Sequence, residues 1–408
     1  MSAASPWLAL LLACADKGSP AGGPAGTDSG EPVVDPFVDQ ALFEEAIAGA
    51  RDPAQALAQI ADQGGLPVLT DRGSYYFGCL CGAGDWELVG DHDGWAGAPL
   101  ATAGELRWIE VEIPEPVESL YKYRRGEAYT ADPLARRFGY DDFGEHSIVR
   151  SEAAHLERWV GLTDGALARR DLTVHVPAGG VFTHALYAHD GQNLFDPGAM
   201  WGGWRLQESL PENMLVVGIF NTSDRMEEYT HTADTLDGEP YGGEGDAYAD
   251  LVEGVIRPRM EAAYGEAAVV GTMGSSLGGL ISLHLALRHP GRYDMAISLS
   301  GTMGWGSIEQ HNPTMIERYA EAGHGQTALY LDSGGSGDCF DGDGDGIEDD
   351  DPSASDNYCE NLQFRDTLAE VGYTFDEDLF HWWEPEAPHN EAAWAARVER
   401  PLSLFAAR

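Results

Sequence analysis

One stretch constrains the fold of this chain more than any other: a β-branched run that turns abruptly into an apolar helix. It reads AAVVGTMGSSLGGLISLHLAL over residues 267–287. The β-branched residues at its start predict a buried strand, and the apolar run after the glycines predicts a buried helix. Small residues between the two let the chain reverse direction within a few positions. The stretch therefore predicts a sharp strand-to-helix corner.

The sequence around this corner repeats the same alternation of strand and helix. Short apolar runs alternate with helical stretches from about residue 151 onward, and they read LTVHVP, THALYAHD, MLVVGIF, MAISLSG and TALYLDSG. Buried strands that alternate with helices are typical of a doubly wound, mostly parallel sheet. The predicted fold class is therefore α/β, with a doubly wound, mostly parallel sheet over residues 151–408.

The corner contains a G-x-S-x-G motif, from Gly274 to Gly278. In a nucleophile elbow the central serine is held in a strained conformation above the sheet, so small residues must flank it. Ser276 is that central residue. The elbow predicts that residues 151–408 are the catalytic domain of an α/β-hydrolase. A serine hydroxyl needs a base to accept its proton, and in α/β-hydrolases an acid and then a histidine follow the serine along the chain.

Several segments resemble one family, which includes the enterochelin, feruloyl and acetylxylan esterases. The segment His389-Asn390-Glu391-x-x-Trp394 resembles the family's catalytic-histidine segment, with His381 as a second choice for the base. The stretch HDGQNLF resembles the loop that supplies one oxyanion-hole amide. The resemblance implies the N–H groups of Leu277 and of Gln192 or Gly191 as donors. It also implies a substrate cleft shaped by Arg225, Glu228 and Tyr229.

Two carboxylates compete for the role of the catalytic acid. Asp332 ends the strand TALYLD, whereas Asp338 closes GGSGD, which resembles the Gly-x-x-Asp loop that carries the family's acid. Asp338 is the favoured prediction, and Asp332 is the alternative.

An acidic segment follows Asp338. Its D-x-D-x-D-G spacing is typical of calcium loops, in which alternating carboxylates surround one hard cation. The predicted ligands are Asp341, Asp343, Asp345, the Ile347 carbonyl and Asp349. Pro352 occupies the twelfth position, where an EF-hand carries glutamate, so Asp350 or Asp351 would have to substitute. The alternative is a solvated acidic insert without a metal.

The cysteines indicate an oxidising compartment. Cys339 and Cys359 bracket the acidic segment and form the natural disulfide pair, whereas the pairing of Cys79 and Cys81 stays open. The N-terminal run SPWLALLLAC resembles a bacterial lipobox, with Cys14 as the lipidated residue, although no basic residue precedes it. The prediction is an exported cell-envelope lipoprotein, with a secreted protein as the alternative.

The N-terminal part divides into three further segments. Residues 1–34 combine the export signal with a Gly/Pro/Ser-rich linker, and residues 35–65 show helical periodicity. Residues 66–150 contain short strand-like runs. They resemble the immunoglobulin-like, glycogen-binding-type early-set domain that precedes the catalytic domain in enterochelin-esterase-like enzymes. The features that match are the turn from Gly90 to Trp95 and the strand Tyr121-Lys122-Tyr123.

The charge balance limits the partners. The chain has 24 basic and 68 acidic residues, which gives a net charge of −44. Such a surface repels nucleic acid and anionic lipid headgroups, so neither is an expected partner, and contact with a membrane would be through the lipid anchor alone.

Together these patterns predict a serine carboxylic-ester hydrolase that needs no cofactor for catalysis. The expected substrate is a small-molecule or polysaccharide-linked ester. Two alternatives remain: an acyltransferase on the same fold, and a non-catalytic surface protein that binds glycan. The sequence does not determine the ester or the oligomeric state.

Overall fold

A computed structural model describes residues 37–350 and 356–408 of the chain. The predicted lipidation site Cys14 and the linker after it lie outside the described residues. The described residues form two compact units. One extends to Glu115 and adds Tyr121–Leu134, and the other comprises Pro116–Leu120 and Ala135–Arg408. None of the helices in this part of the chain is long and apolar enough to span a bilayer.

The first unit combines two helices with two small antiparallel sheets. The helices are α1 (Val38–Ile47) and α2 (Pro53–Gln63). The strands are β1 (Val68–Leu69), β2 (Tyr75–Cys79), β3 (Glu87–Gly90), β4 (Ala98–Pro99), β5 (Ala101–Ala103), β6 (Leu106–Val111), β7 (Leu120–Arg125) and β8 (Ala128–Thr130). One sheet has the order β1-β2-β6-β5, and in the other β7 pairs with both β3 and β8.

Aromatic side chains join the layers of this unit. The rings of Phe77 on β2 and Tyr121 on β7 meet edge to face at 4.8 Å, which packs the two sheets together. Phe43 of α1 stacks on Tyr76 at 4.9 Å, so the helices cover the outer face of the first sheet. The helices predicted at residues 35–65 therefore belong to the same compact unit as the strands. The immunoglobulin-like assignment of those strands stays a prediction.

The second unit is built on one large sheet. Its strands are β9 (Arg137–Asp141), β10 (Gly144–Ile148), β11 (His155–Leu162), β12 (Arg170–Val176), β13 (His184–His189), β14 (Met214–Ile219), β17 (Val269–Ser275), β18 (Met295–Leu299), β19 (Ala328–Ser333) and β20 (Leu379–Trp383). A separate hairpin is formed by β15 (Ala233–Leu236) and β16 (Glu239–Gly242). Because β9 and β10 lie in this unit, the boundary predicted at residue 150 falls inside it.

Parallel pairing dominates the part of the sheet that carries the corner. The order is β20-β19-β18-β17-β13-β14-β12-β11-β9-β10. Neighbouring strands run parallel from β20 to β14 and antiparallel from β14 to β10. The prediction of an α/β fold is confirmed, but the sheet is mixed: it is parallel from β20 to β14 and continues as an antiparallel extension on one edge.

Helices cover both faces of this sheet. They are α3 (Arg225–Glu228), α4 (Gly245–Leu251), α5 (Arg257–Tyr264), α6 (Leu277–Arg288), α7 (Met315–Ala322), α8 (Tyr358–Glu370), α9 (Glu391–Arg397) and α10 (Glu399–Ala406). Alternate residues of β13 enter two different cores: Tyr187 packs with residues of α4 to α8, and Leu186 packs with residues of α9 and α10. The sheet is therefore buried on both sides, and its strand ends are the place for a site.

Candidate active site

The corner between β17 and α6 has the geometry that its sequence predicts. Ser276 has φ 55° and ψ −126°, a conformation that L-residues rarely adopt, and it directly precedes the first residue of α6. A Cβ atom on Gly274 would lie 2.4 Å from the carbonyl oxygen of Gly278, so the corner closes only if this position is glycine. The strained backbone leaves Ser276 partly exposed while the residues beside it are buried.

The imidazole of His389 is held by a buried carboxylate. His389 Nδ1 lies 2.6 Å from Asp356 Oδ1, and the Asp356 side chain is fully buried. Because an ionised carboxylate only accepts hydrogen bonds, Nδ1 carries the proton and Nε2 of the neutral ring is left with a free lone pair. Asp356 therefore orients the His389 ring so that its Nε2 can accept a proton.

Asp356 replaces both of the acids that the sequence suggested. Asp338 lies at an exposed position, and Asp332 is fully buried with its Oδ1 3.0 Å from Nε of Arg397. The prediction of Asp338 as the partner of His389 is thus corrected. The physical reason is that a long acidic segment follows Asp338. The chain contacts the sheet again at Asp356, just before α8, so the carboxylate of Asp356 reaches His389.

The second-choice histidine is not part of this arrangement. His381 lies in the interior of β20, in register with Leu331 of β19. Burial lowers the pKa of His381 to about 4, so its ring stays neutral within the sheet.

Ser276 and the Asp356–His389 pair meet the same edge of the sheet. The N–H of Ser276 donates to the carbonyl of Leu299, the last residue of β18. The next residue, Ser300, donates its hydroxyl to Asp356 Oδ2 at 2.7 Å. Ser276 and the Asp356–His389 pair are therefore both attached to the end of β18, the first through Leu299 and the second through Ser300.

The predicted oxyanion turn lies against the start of α6. It begins at Asp190, which has φ 59°, and continues as a helical turn from Gly191 to Asn193. A Cβ atom on Gly278 would lie 3.2 Å from Asp190 Oδ2, which measures how closely the turn approaches the helix. The first N–H groups of α6, including that of Leu277, have no partner within the helix and can bind an anion.

Arg225 and Tyr229 hold this turn in place. Arg225 makes a two-armed ion pair with Asp190, in which Nε and Nη2 each donate at 2.7 Å. The hydroxyl of Tyr229 accepts the Asp190 N–H at 3.2 Å, and Asn221 donates to the same carboxylate. These residues support the turn from behind.

Glu228 has a structural position as well. It is 1% exposed and accepts two hydrogen bonds from Arg170, at 2.7 and 3.0 Å. Tyr229 is also fully buried. Glu228 and Tyr229 therefore belong to the packed layer beneath the oxyanion turn, and the prediction that they shape a substrate cleft stays a prediction.

The segment after His389 also contacts the turn. Asn193 donates to Glu391 Oε1 at 3.3 Å, and the indole ring of Trp394 meets the His389 ring edge to face at 4.9 Å. The oxyanion turn, the histidine loop and the start of α9 therefore form one connected surface at the sheet edge.

Comparison with known proteins places the chain in a family. Residues 168–402, more than half of the sequence, match the family model described as "Putative esterase". The chain belongs to this esterase family. It is a carboxylic ester hydrolase. A search of curated proteins returned no match.

Solved structures give matches of low sequence identity. An IroE-like serine hydrolase from Shewanella oneidensis has 17% identity and a TM-score of 0.47, and the match covers 62% of this chain and 80% of that one. Ferric enterobactin esterase from Salmonella typhimurium has 13% identity and a TM-score of 0.44, with 85% and 98% covered. The siderophore hydrolase EstA from Aspergillus nidulans has 17% identity and a TM-score of 0.45, with 61% and 94% covered.

Both cysteine pairs of the esterase are disulfides. Cys339 bonds to Cys359, as predicted, and Cys79 bonds to Cys81, which settles a pairing that the sequence left open. The first of these bridges closes the acidic segment from which Asp356 emerges. Asp350, near its end, accepts hydrogen bonds from three backbone N–H groups, those of Asp356, Tyr358 and Cys359.

The predicted calcium ligands lie on an exposed loop of this segment. One carboxylate oxygen from each of Asp341, Asp343 and Asp345 lies within 4.8 Å of the others. Asp349 instead accepts the N–H of Gly342 across the loop, and Ile347 is a buried residue. The loop can bring carboxylates together, and the same carboxylates also bond to the loop's own backbone.

Sequence reasoning missed Asp356, Ser300 and Arg397. Asp356 carries one local signal, since it is the last acidic residue before the helix that returns the chain to the sheet. Ser300 follows β18 directly and has φ 47°, and Arg397 sits at the end of α9. No motif marks the latter two, because their roles arise from contacts between distant segments.

We predict that Asp356→Asn lowers kcat for ester hydrolysis by about 10⁴-fold, since the His389 ring loses the carboxylate that fixes its tautomer. Steady-state kinetics on a chromogenic ester measure the loss. Asp338→Asn is the matched control, because its carboxylate is exposed and does not contact His389, and it should keep normal kinetics. Loss of activity in Asp338→Asn, with Asp356→Asn active, would reverse the assignment.

Proposed function

We propose that this esterase acts through a Ser276–His389–Asp356 triad and a covalent acyl-enzyme. The observation that carries the proposal is the short hydrogen bond between His389 Nδ1 and buried Asp356, at the sheet edge where Ser276 is held in a strained turn. The family model also spans all three residues. The proposal thus rests on the strained turn that holds Ser276 and on the hydrogen bond that joins His389 to Asp356.

In this mechanism the hydroxyl of Ser276 attacks the carbonyl carbon of the ester. Nε2 of His389 takes the hydroxyl proton and then gives it to the departing alcohol, and Asp356 stabilises the imidazolium that forms. The N–H groups of Leu277 and Gln192 bind the oxyanion of the tetrahedral intermediate. Water then attacks the acyl-enzyme by the same route, so the enzyme is regenerated without a cofactor.

Active-site labelling tests the triad. A fluorophosphonate probe should label the folded wild-type protein, and Ser276→Ala should abolish both labelling and ester hydrolysis. Ser275→Ala is the matched control, since Ser275 is a buried neighbour at the end of β17 and should leave labelling intact. Wild-type protein that reacts with no probe would contradict the proposed serine nucleophile.

The charge distribution favours neutral ester substrates. The chain carries a net charge of −44, and an anionic ligand needs cationic contacts to overcome that field. Two arginines that contact Asp356 or the oxyanion turn are committed to carboxylates: Arg225 to Asp190, and Arg397 to Asp332. We therefore propose acyl esters of sugars or polysaccharides, or other small neutral esters, as the substrate class.

A panel of esters measures this preference. We expect kcat/KM for acetylated sugars and short-chain acyl esters to exceed that for a ferric siderophore ester by at least tenfold, with feruloyl esters as a neutral aromatic comparison. Products formed with an added alcohol acceptor distinguish hydrolysis from acyl transfer. A siderophore ester that is the best substrate at low ionic strength would contradict the proposal.

We also propose that the loop of Asp341, Asp343 and Asp345 binds Ca²⁺, because converging carboxylates repel one another unless a cation joins them. Chelation should then lower the melting temperature by about 5 °C and reduce activity, and Ca²⁺ should restore both. Asp343→Asn serves as the control, as it should be insensitive to the chelator. An unchanged rate and melting temperature after chelation of the wild type would mean a solvated acidic loop.

Export is the proposed route of this protein. Two disulfides in the described chain support an oxidising compartment, because such bonds are rare in reducing cytosol. Lipidation at Cys14 would anchor the enzyme in the cell envelope, and the mass of the mature N-terminus measures whether the lipid is present.

A further inference from the structure

We infer that Arg397 is a positioning residue for Asp356. In the same inference Asp332 offsets the positive charge of Arg397, so that this charge does not disfavour the protonated form of His389. This inference rests on the proposed triad and deepens it. It assigns roles to two buried charged residues, one of which lies at the end of β19 and the other at the end of α9.

The contacts of Arg397 define the arrangement. Its side chain is 4% exposed, and the guanidinium spans two fully buried carboxylates. Nε donates to Asp332 Oδ1 at 3.0 Å, and Nη2 lies 3.4 Å from Asp356 Oδ2. Nη2 also donates to the hydroxyl of Ser300 at 2.6 Å. One side chain therefore connects the acid, the end of β18 and the end of β19.

Ser300 transmits this hold to Asp356. Its hydroxyl accepts from Arg397 and from Trp394 Nε1, at 2.6 and 3.0 Å, so its own proton must go to Asp356 Oδ2. Asp356 Oδ2 also accepts the N–H of Gly334. With Oδ2 bound on several sides, Oδ1 is directed at His389. The carboxylate is thus fixed in rotation as well as in position.

The charges around the histidine have a definite balance. Asp356 contacts His389 directly. From α9, Trp394 packs against the His389 ring and Arg397 reaches Asp356. Glu391, two residues after His389, interacts electrostatically with Arg225. An Arg397 charge without compensation would cancel the effect of Asp356 and disfavour the imidazolium. Asp332, paired with Arg397, restores one negative charge to the buried cluster.

The ionisation of Asp332 fits this role. Burial raises the pKa of Asp332 to about 6, and the nearby Arg397 limits the rise. Above that pH Asp332 is mostly ionised, in the same range in which an imidazole exchanges its proton. Above that pH Asp332 therefore carries the negative charge that offsets Arg397.

The pH dependence of kcat/KM tests the inference. Asp332→Asn removes a negative charge near His389, so the imidazolium is less favoured and the acid limb should move to lower pH by about 0.5 unit. An Asp332→Asn variant that folds, and whose limb stays at the wild-type pH, overturns the electrostatic role of Asp332.

Arg397→Lys tests the positioning role independently, including the case in which Asp332→Asn does not fold. Lysine keeps the charge but cannot reach two partners as a fork, so kcat should fall at least tenfold while KM and the pH of the limb stay the same. Full kcat in this variant overturns the positioning role.

Arg257→Lys is the matched control. Arg257 is buried in α5, where it pairs with Glu253 and Glu261 and donates to the carbonyl of Arg292, before the start of β18 and away from the triad. It should keep wild-type kcat and the wild-type limb. Labelling of Ser276 separates the two proposals: a wild type that fails to label refutes the triad itself, whereas normal labelling with an unmoved limb refutes only the role of Asp332.

Discussion

The arrangement of the site depends on one buried carboxylate. Asp356 is removed from water, and an ionised group in such a place is costly unless hydrogen bonds replace its hydration. Here the replacement comes from His389, Ser300, Gly334 and Arg397, which belong to four different segments. The need to satisfy Asp356 therefore fixes those segments relative to one another, and the histidine ring is oriented as a result.

A second constraint is steric, and it operates at the corner. Gly274 and Gly278 lie so close together that a side chain on Gly274 would clash with the backbone of Gly278. This closeness places the start of α6 at the strand edge. The oxyanion turn reaches that helix start because Gly191 packs against Gly218, where a Cβ atom would lie 2.3 Å from backbone carbon. Backbone contact thus requires glycine at Gly274 and Gly191, and Ser276 is partly exposed at the corner that results.

The features that could be predicted from sequence are those coded by neighbouring residues. The α/β alternation, the strained Ser276 and the loop of His389 are each marked by a short local pattern. The acid could not be found in this way, because its place depends on where a disulfide-closed segment between Cys339 and Cys359 returns to the sheet. For Glu228 the motif identified the segment, but only the ion pair with Arg170 shows that its carboxylate faces inward.

The same disulfide-closed segment links the acidic loop to Asp356. Asp350 binds the N–H of Asp356 and of the first residues of α8, and Asp345 accepts a hydrogen bond from Ser307 in the loop after β18. These contacts tie the segment to the start of α8 and to the loop after β18. Asp356 lies near the end of this segment. Its position therefore depends on the contact with Asp350 within the segment as well as on the residues that follow β18 and β19. The long segment between Cys339 and Cys359 makes Asp356 hard to identify from the sequence, and the contacts of the same segment help to hold Asp356 against His389.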